Sequence, residues 1–252
     1  MELFDCNEIT DTASEKAALA AIDKALEKLG DISPNARDNA LHALLYGFSE
    51  NSPASPPLPA IKSFVQKVLA AAEKAGDLAT EEARRLAEQA CNDRLDPDTE
   101  QVKTAAFKVT REFDRLRGLL RFKPEPVNET QPPYNNALCN GGLSVCYIAR
   151  CAPDHFVLPL LADHFWRRFG KQSWAIIDEK RNLVLSGKNG GEPVLRQAVP
   201  PEKNAVSQNS DEWEKLWKNY HHSVNNPSRA NPKLQKQFMP VRYWKYLTEK
   251  PD

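Results

Sequence analysis

Apolar residues recur every three or four positions through residues 12–118, a spacing typical of amphipathic helices. Thr12, Ser33, Thr80 and Asp96 each stand at the start of such a pattern, where a side-chain oxygen can cap a helix. Prolines make residues 51–59 unsuitable for a helix and predict a linker. The pattern therefore predicts helices over residues 12–30, 33–48, 61–76, 80–91 and 96–118.

Short apolar runs with turn residues between them replace the helical period after residue 118, and they predict strands over residues 119–123, 143–150, 173–178 and 183–186. A helix follows Pro153, with Asp154 as its expected cap and an apolar face that includes Leu158, Leu161 and Phe165. Residues 124–142 and 187–209 are predicted to be loops, followed by C-terminal helices. The order strand, strand, helix, strand, strand predicts an α+β fold, in which a helical N-terminal half precedes a small antiparallel sheet.

Charge and aromatic residues divide the chain into two regions, residues 1–104 and 105–252. The first carries 11 Lys and Arg against 19 Asp and Glu, and the second carries 23 against 15, although the formal net charge is zero. All five tryptophans lie in the second region. An acidic helical region followed by a basic α+β domain is therefore expected, and the basic domain is the candidate for binding polyanions.

Neither a membrane span nor a disulfide framework is expected. No apolar run approaches the roughly 20 residues that a transmembrane helix needs, and the N-terminus is acidic where a signal peptide is basic. Five cysteines in a chain of this length favour reduced thiols. We therefore expect a cytoplasmic protein.

Arginines are interleaved with aromatic residues in the basic region, a pattern that suits nucleic acid because the guanidinium group binds phosphates and aromatic rings stack on bases. A solvated surface on which arginines pair with carboxylates of the same chain explains the pattern equally well. The candidate nucleic-acid-binding residues are Arg115, Arg121, Arg150, Arg168, Arg181, Trp174, Arg229 and Arg242.

Asp154, His155, His164 and Asp178 form a second candidate group, which could act in acid and base catalysis if the fold brings the four side chains together. The alternative is structural, with Asp154 as a helix cap and His164 as a hydrogen-bonded residue at the edge of the core. The spacing matches no zinc motif, and no phosphate loop, dinucleotide-binding motif or serine-hydrolase elbow occurs. No metal or cofactor is therefore predicted.

Several blocks resemble a bacterial family described as probable DNA metabolism proteins. They are EFDR at 112–115, GLLRF at 118–122, PD at 153–154, LPLLADHFWRRF at 158–169, WAIID at 174–178 with Arg181, RAN at 229–231 and MPVRYW at 239–244. The resemblance covers about residues 105–250. It implies a role in DNA modification or repair beside a radical-SAM partner enzyme, and in other members the domain is fused to a uracil-DNA glycosylase domain.

The chain departs from that family at Asp114, where a histidine is expected, and at an apparent insertion in 124–142. No glycosylase motif or three-cysteine iron–sulfur motif is present. Three functions remain: a nucleic-acid-binding accessory protein of DNA metabolism, a stand-alone hydrolase or nuclease that uses the Asp/His group, and a structural adaptor.

Overall fold

The computed structural model describes residues 13–47, 58–127, 144–198 and 212–249. They form two compact units: unit 1 comprises Met1–Glu112 with Asp154–Val157, and unit 2 comprises Phe113–Pro153 with Leu158–Asp252. In the described ranges, no helix has both the length and the apolar character needed to cross a membrane.

Unit 1 is helical, as its sequence period predicts. Its helices are α1 (Ala13–Ile32), α2 (Pro34–Gly47), α3 (Leu58–Glu73), α4 (Glu81–Cys91) and α5 (Pro97–Leu119), the last of which extends into unit 2. The apolar stripes form the core, where Leu29, Phe64 and Val102 have almost no exposed surface. The predicted cap at Thr12 and most of the predicted linker lie outside the described residues.

Side-chain caps set the helix starts in unit 1. The Ala36 amide donates to Ser33 Oγ at 3.3 Å and the Ala83 amide to Thr80 Oγ1 at 3.2 Å. The Thr99 amide donates to Asp96 Oδ2 at 2.9 Å, and Lys67 forms an ion pair with the same carboxylate. Each cap satisfies a backbone donor that the helix leaves unpaired, which is why short polar residues at these positions mark the helix starts.

Unit 2 contains a mixed five-stranded sheet and further helices. Its elements are β1 (Lys123–Val127), β2 (Ser144–Cys151), α6 (Leu158–Phe169), β3 (Trp174–Asp178), β4 (Leu183–Gly187), β5 (Val194–Gln197), α7 (Glu212–Val224) and α8 (Pro232–Phe238), with 3₁₀ turns at Pro227–Arg229 and Val241–Tyr246. The α+β class is confirmed. The buried face of α6 is also as predicted, because Leu158, Leu161 and Phe165 are buried.

The sheet order is β1-β2-β3-β4-β5, and the prediction of a purely antiparallel sheet is wrong at its centre. Strand β2 pairs with β3 in parallel, whereas the other neighbours are antiparallel. The physical reason is the helix between them: a crossover through α6 returns the chain to the same end of the sheet, so the second strand runs in the same direction as the first.

The sequence prediction also misplaces one strand and misses another. Residues 119–122 were expected in a strand, but α5 continues to Leu119 and β1 begins at Lys123. Strand β1 contains Pro124 and Pro126, which a strand tolerates at the edge of a sheet, where one side needs no amide donors. Strand β5 lies in the predicted loop 187–209, where the Gly, Pro, Lys and Asn composition has no period.

Aromatic side chains fill the space between α6 and the sheet. The rings of Phe165 and Phe169 lie 5.0 and 4.7 Å from the Phe122 ring, centroid to centroid, and Phe169 stacks on Trp174 at 5.9 Å. Gly187 lies opposite Trp174 in the register of β3 and β4, where the indole occupies the space of a missing side chain. This cluster fixes α6, and with it the polar side chains on the outer side of that helix.

Candidate nucleic-acid interface

An open groove in unit 2 collects three of its arginines. Its volume is about 490 Å³, and it is lined by Phe113 and Arg117 from α5 and by Leu160, Asp163, His164, Arg167 and Arg168 from α6. Phe113 and Arg117 are four residues apart, as are His164 and Arg168, so each pair projects from one side of its helix. We call this feature the arginine groove.

The arginine groove has an excess of positive charge. Arg167 bonds Asp163 at 2.9 Å and Arg117 approaches Asp114 at 3.5 Å, and all four of these side chains are exposed. Within the described residues, Arg168 has no carboxylate partner. An anion that enters the groove therefore meets a guanidinium group already oriented towards solvent.

His164 reports this electrostatic environment. Partial burial lowers the pKa of the imidazole, and the nearby charges of Arg117 and Arg168 lower it further, while Asp163 opposes the change. Burial and the two guanidinium charges therefore favour the neutral form of the imidazole. The predicted candidate His164 thus lies in the same groove as the predicted candidate Arg168.

Two of the predicted nucleic-acid-binding arginines, Arg115 and Arg121, form hydrogen bonds with other parts of the chain. Arg121 Nη2 donates to Glu249 Oε1 at 2.6 Å, and its Nη1 donates to the Gly118 carbonyl at 2.8 Å. Burial alone would raise the pKa of Glu249, but the hydrogen bonds from Arg121 and other donors outweigh it and the pKa is lowered. Arg115 Nη2 donates to the Gln237 carbonyl at 3.0 Å and so connects α5 to α8. These contacts match the alternative in which arginines pair within the chain.

Arg181 and Trp174 are buried. The Arg181 side chain is only 7% exposed, and its Nη1 donates to Asp178 Oδ2 at 2.9 Å and to the Pro153 carbonyl at 3.1 Å. Trp174 has no exposed surface, because Phe165, Phe169 and Gly187 enclose its ring. The ring faces of Trp174 are therefore closed to bases in this structure.

The remaining predicted arginines lie nearer to solvent. Arg150 is half-buried on β2, where its charge opposes the rise that burial causes in the pKa of Glu125. Arg229 is exposed in the first 3₁₀ turn. Arg242 lies 4.8 Å from the centroid of the Tyr243 ring. Of the eight predicted binding residues, only Arg168 lines the arginine groove.

Asp178, a predicted catalytic residue, shapes the turn between β3 and β4. Its Oδ1 accepts hydrogen bonds from the amides of Lys180 at 3.0 Å and Arg181 at 3.3 Å. Burial raises the pKa of Asp178, although the Arg181 guanidinium and both amides oppose that rise. The next residue of the turn, Asn182, adopts a positive φ of 52°, a conformation that asparagine tolerates. A role in folding the turn accounts for all of these contacts.

The buried carboxylate of Glu112 accepts hydrogen bonds from both Asp154 and His155. Glu112 was not among the predicted site residues. Glu112 Oε1 accepts the Asp154 amide at 2.9 Å, and Oε2 accepts the His155 amide at 2.7 Å. The same Oε2 lies 2.5 Å from His155 Nδ1, and the imidazole stacks on Tyr46 at 5.1 Å. The expectation that Asp154 caps the next helix is wrong, because α6 begins only at Leu158, four positions after Asp154.

A signal for Glu112 was present in the sequence. It follows Val109 by three positions and precedes Leu116 by four, so it occupies the apolar stripe of α5. An acid in such a stripe is buried and must find donors. The four predicted catalytic residues thus lie at three separate places. Asp154 and His155 contact Glu112, His164 lines the arginine groove, and Asp178 lies in the turn between β3 and β4. Across the described residues, no group of three or more His, Cys, Asp or Glu side chains is arranged to hold a metal ion.

A comparison with known families decides the chain's affiliation. The model of a domain of unknown function, DUF4130, matches residues 73–249, which is more than half of the chain. The chain belongs to the DUF4130 family. The DUF4130 match includes α4, α5 and every described residue of unit 2, and it begins earlier than the resemblance predicted from about residue 105. No curated protein matches the chain, and no solved structure does.

Proposed function

We propose that this protein binds nucleic acid in DNA modification or repair and presents it to a partner enzyme of the radical-SAM class. The arginine groove is the observation that carries the binding part of the proposal. The resemblance of residues 105–250 to a DNA metabolism family supports the assignment to DNA and to such a partner.

The chemistry of the arginine groove suits phosphates. A guanidinium group donates two parallel hydrogen bonds to a phosphate. Because it is weakly hydrated, little free energy is lost when phosphate replaces its bound water. Arg117, Arg167 and Arg168 offer three such donors along one groove. Arg168 is the strongest candidate, because it loses no ion pair within the described chain when a phosphate binds.

The proposal is tested by fluorescence anisotropy of labelled DNA with the full chain, titrated at salt concentrations from about 50 to 200 mM. Arg168→Ala should weaken binding roughly 5- to 10-fold at low salt and reduce the slope of log affinity against log salt by about one unit. Arg84→Ala is the matched control, because Arg84 is an exposed arginine of unit 1 with only a 3.7 Å contact to Glu81. No binding at low salt, or equal losses in both variants, refutes the proposal.

The partner part of the proposal has its own test. A radical-SAM protein, the class of partner that the resemblance implies, should co-purify with this chain when the two are expressed together, and labelled DNA should increase the amount retained. If the two proteins do not co-purify, with or without DNA, the proposed partner is refuted, whereas the proposal of DNA binding is unaffected.

A second candidate function, hydrolysis of a phosphodiester, is favoured by the Glu112–His155 pair. The hydrogen bond between Nδ1 of His155 and Glu112 leaves Nε2 of the imidazole to accept a proton from an attacking water. That proton would then pass to the leaving oxygen. Labelled oligonucleotides incubated between about pH 5 and 9 test this function: cleavage should depend on His155, and its pH profile should shift in Glu112→Gln. Absence of cleavage by the parent protein refutes it.

A further inference from the structure

The C-terminal part of unit 2 has a charge composition unlike the rest of the chain. Residues 215–246 contain seven Lys and Arg and no Asp or Glu, in a protein whose formal net charge is zero. We call the described side chains of this range the C-terminal surface. It comprises most of α7, the first 3₁₀ turn, α8 and the second 3₁₀ turn. A run of this length without an acid attracts polyanions.

One face of α7 is apolar and turned to solvent. Leu216, Tyr220 and Val224 follow one another at four-residue intervals, and they are 58%, 55% and 57% exposed, while Trp217 beside them is 42% exposed. A helix normally buries such a stripe against a core. Contiguous exposed apolar side chains on a folded protein mark an interaction site.

A hydrogen bond fixes Trp217, one of the two aromatic residues Trp217 and Tyr220 on α7. Trp217 Nε1 donates to Glu249 Oε2 at 3.2 Å, and Glu249 is itself held by Arg121. The Trp217 and Tyr220 ring centroids are 5.7 Å apart. A base inserted between two rings needs about 7 Å, twice the rise of about 3.4 Å between successive bases of a strand, so bases stack on the outer faces of this pair.

We propose that the C-terminal surface binds single-stranded nucleic acid, with unpaired bases stacked on Trp217 and Tyr220 and the backbone neutralised by lysines such as Lys215 and Lys218. This inference rests on the proposed nucleic-acid function and specifies that the bound nucleic acid is single-stranded. Phosphates alone need no aromatic rings, whereas the faces of bases are accessible only where the strand is unpaired. Lys215 and Lys218 are exposed on the same helix, next to the ring-bearing positions.

The test compares a labelled oligo-dT strand with a labelled duplex of the same length, using the full chain and fluorescence anisotropy at one salt concentration. The parent protein should bind the single strand more tightly. Tyr220→Ala should weaken single-strand binding about 5- to 150-fold, the range measured for loss of one stacked base, and leave duplex binding unchanged. Trp217→Phe should retain most of the affinity because it keeps an aromatic ring.

Phe107→Ala is the matched control, because Phe107 is an exposed aromatic residue of unit 1; it should bind both probes like the parent. Circular dichroism of Tyr220→Ala checks that α7 remains folded, and Tyr220 makes no side-chain hydrogen bond within the described chain that the change removes. Equal affinity for both probes, or a Tyr220→Ala protein that binds the single strand normally, overturns the inference.

The outcomes separate this inference from the proposed function. If Arg168→Ala still reduces binding of the duplex while Tyr220→Ala changes nothing, only the single-strand inference fails. If neither probe binds at low salt, both fail. Tyr220-dependent sedimentation with phosphatidylserine vesicles, without Tyr220-dependent binding of oligo-dT, would reassign the C-terminal surface to anionic membranes.

Discussion

Replacing Gly187 by alanine places a methyl group inside the aromatic core of unit 2. The new Cβ would lie 2.5, 2.7 and 2.9 Å from the Nε1, Cε2 and Cζ2 atoms of Trp174. Non-bonded carbon atoms rest at about 3.5 to 4.0 Å, so the indole must move by about 1 Å. Phe165 and Phe169 pack against Trp174, which has no exposed surface, and leave it little room to do so.

Two effects of opposite sign determine the size of this change. Overpacking a filled core costs about 1–3 kcal/mol, whereas the loss of backbone freedom in the unfolded chain returns about 0.4–1 kcal/mol. The clash exceeds the entropic gain, and we expect Gly187→Ala to lower the unfolding free energy of unit 2 by about 1–2 kcal/mol. In a chain of this size that corresponds to about 2–8 °C in Tm.

Urea unfolding followed by circular dichroism measures the effect, with Gly118→Ala as the control. Gly118 lies in α5, and a Cβ there meets no atom within 4 Å, so that variant should be as stable as the parent or slightly more stable. In a Trp174→Phe background, Gly187→Ala should cost much less, because the contacting indole atoms are absent. A Gly187→Ala cost that is zero, or that is unchanged in that background, would refute the close packing.

Two further predictions concern titratable groups. In an NMR titration His164 should show a pKa below its ordinary 6.5, and Arg117→Ala should raise it because one neighbouring positive charge is lost; a higher pKa in the parent protein contradicts the description of the arginine groove. Lys67 and Thr99 lower the pKa of Asp96 to about 2, below the value of about 3.9 expected in the unfolded chain. The stability contributed by this lowered pKa is complete above about pH 4 and is lost as the pH falls towards 2. Urea unfolding should therefore show a weaker pH dependence in that window for Asp96→Asn, and an unchanged slope would count against the ion pair.

Local sequence patterns predicted most helices and several strands correctly. The cap at Thr80 and the apolar face of α6 follow from contacts within one or two helical turns, so a short stretch of sequence contains the information. The parallel pairing of β2 with β3 and the short β5 depend on hydrogen bonds between separate strands. Strand direction and edge position are properties of the assembled sheet, which local periodicity does not encode.

The candidate sites show the same limit. Segregation of charge and aromatic residues between the two halves is a property of the sequence alone, and it makes the basic half the candidate for binding polyanions. Which arginines remain available for a ligand was decided by the tertiary structure: Arg121 is held by Glu249, 128 residues away along the chain, whereas Arg168 lines a groove. Composition determines how many charges a protein carries, but only packing brings distant residues close enough to pair, and ion pairing depends on distances of a few ångströms.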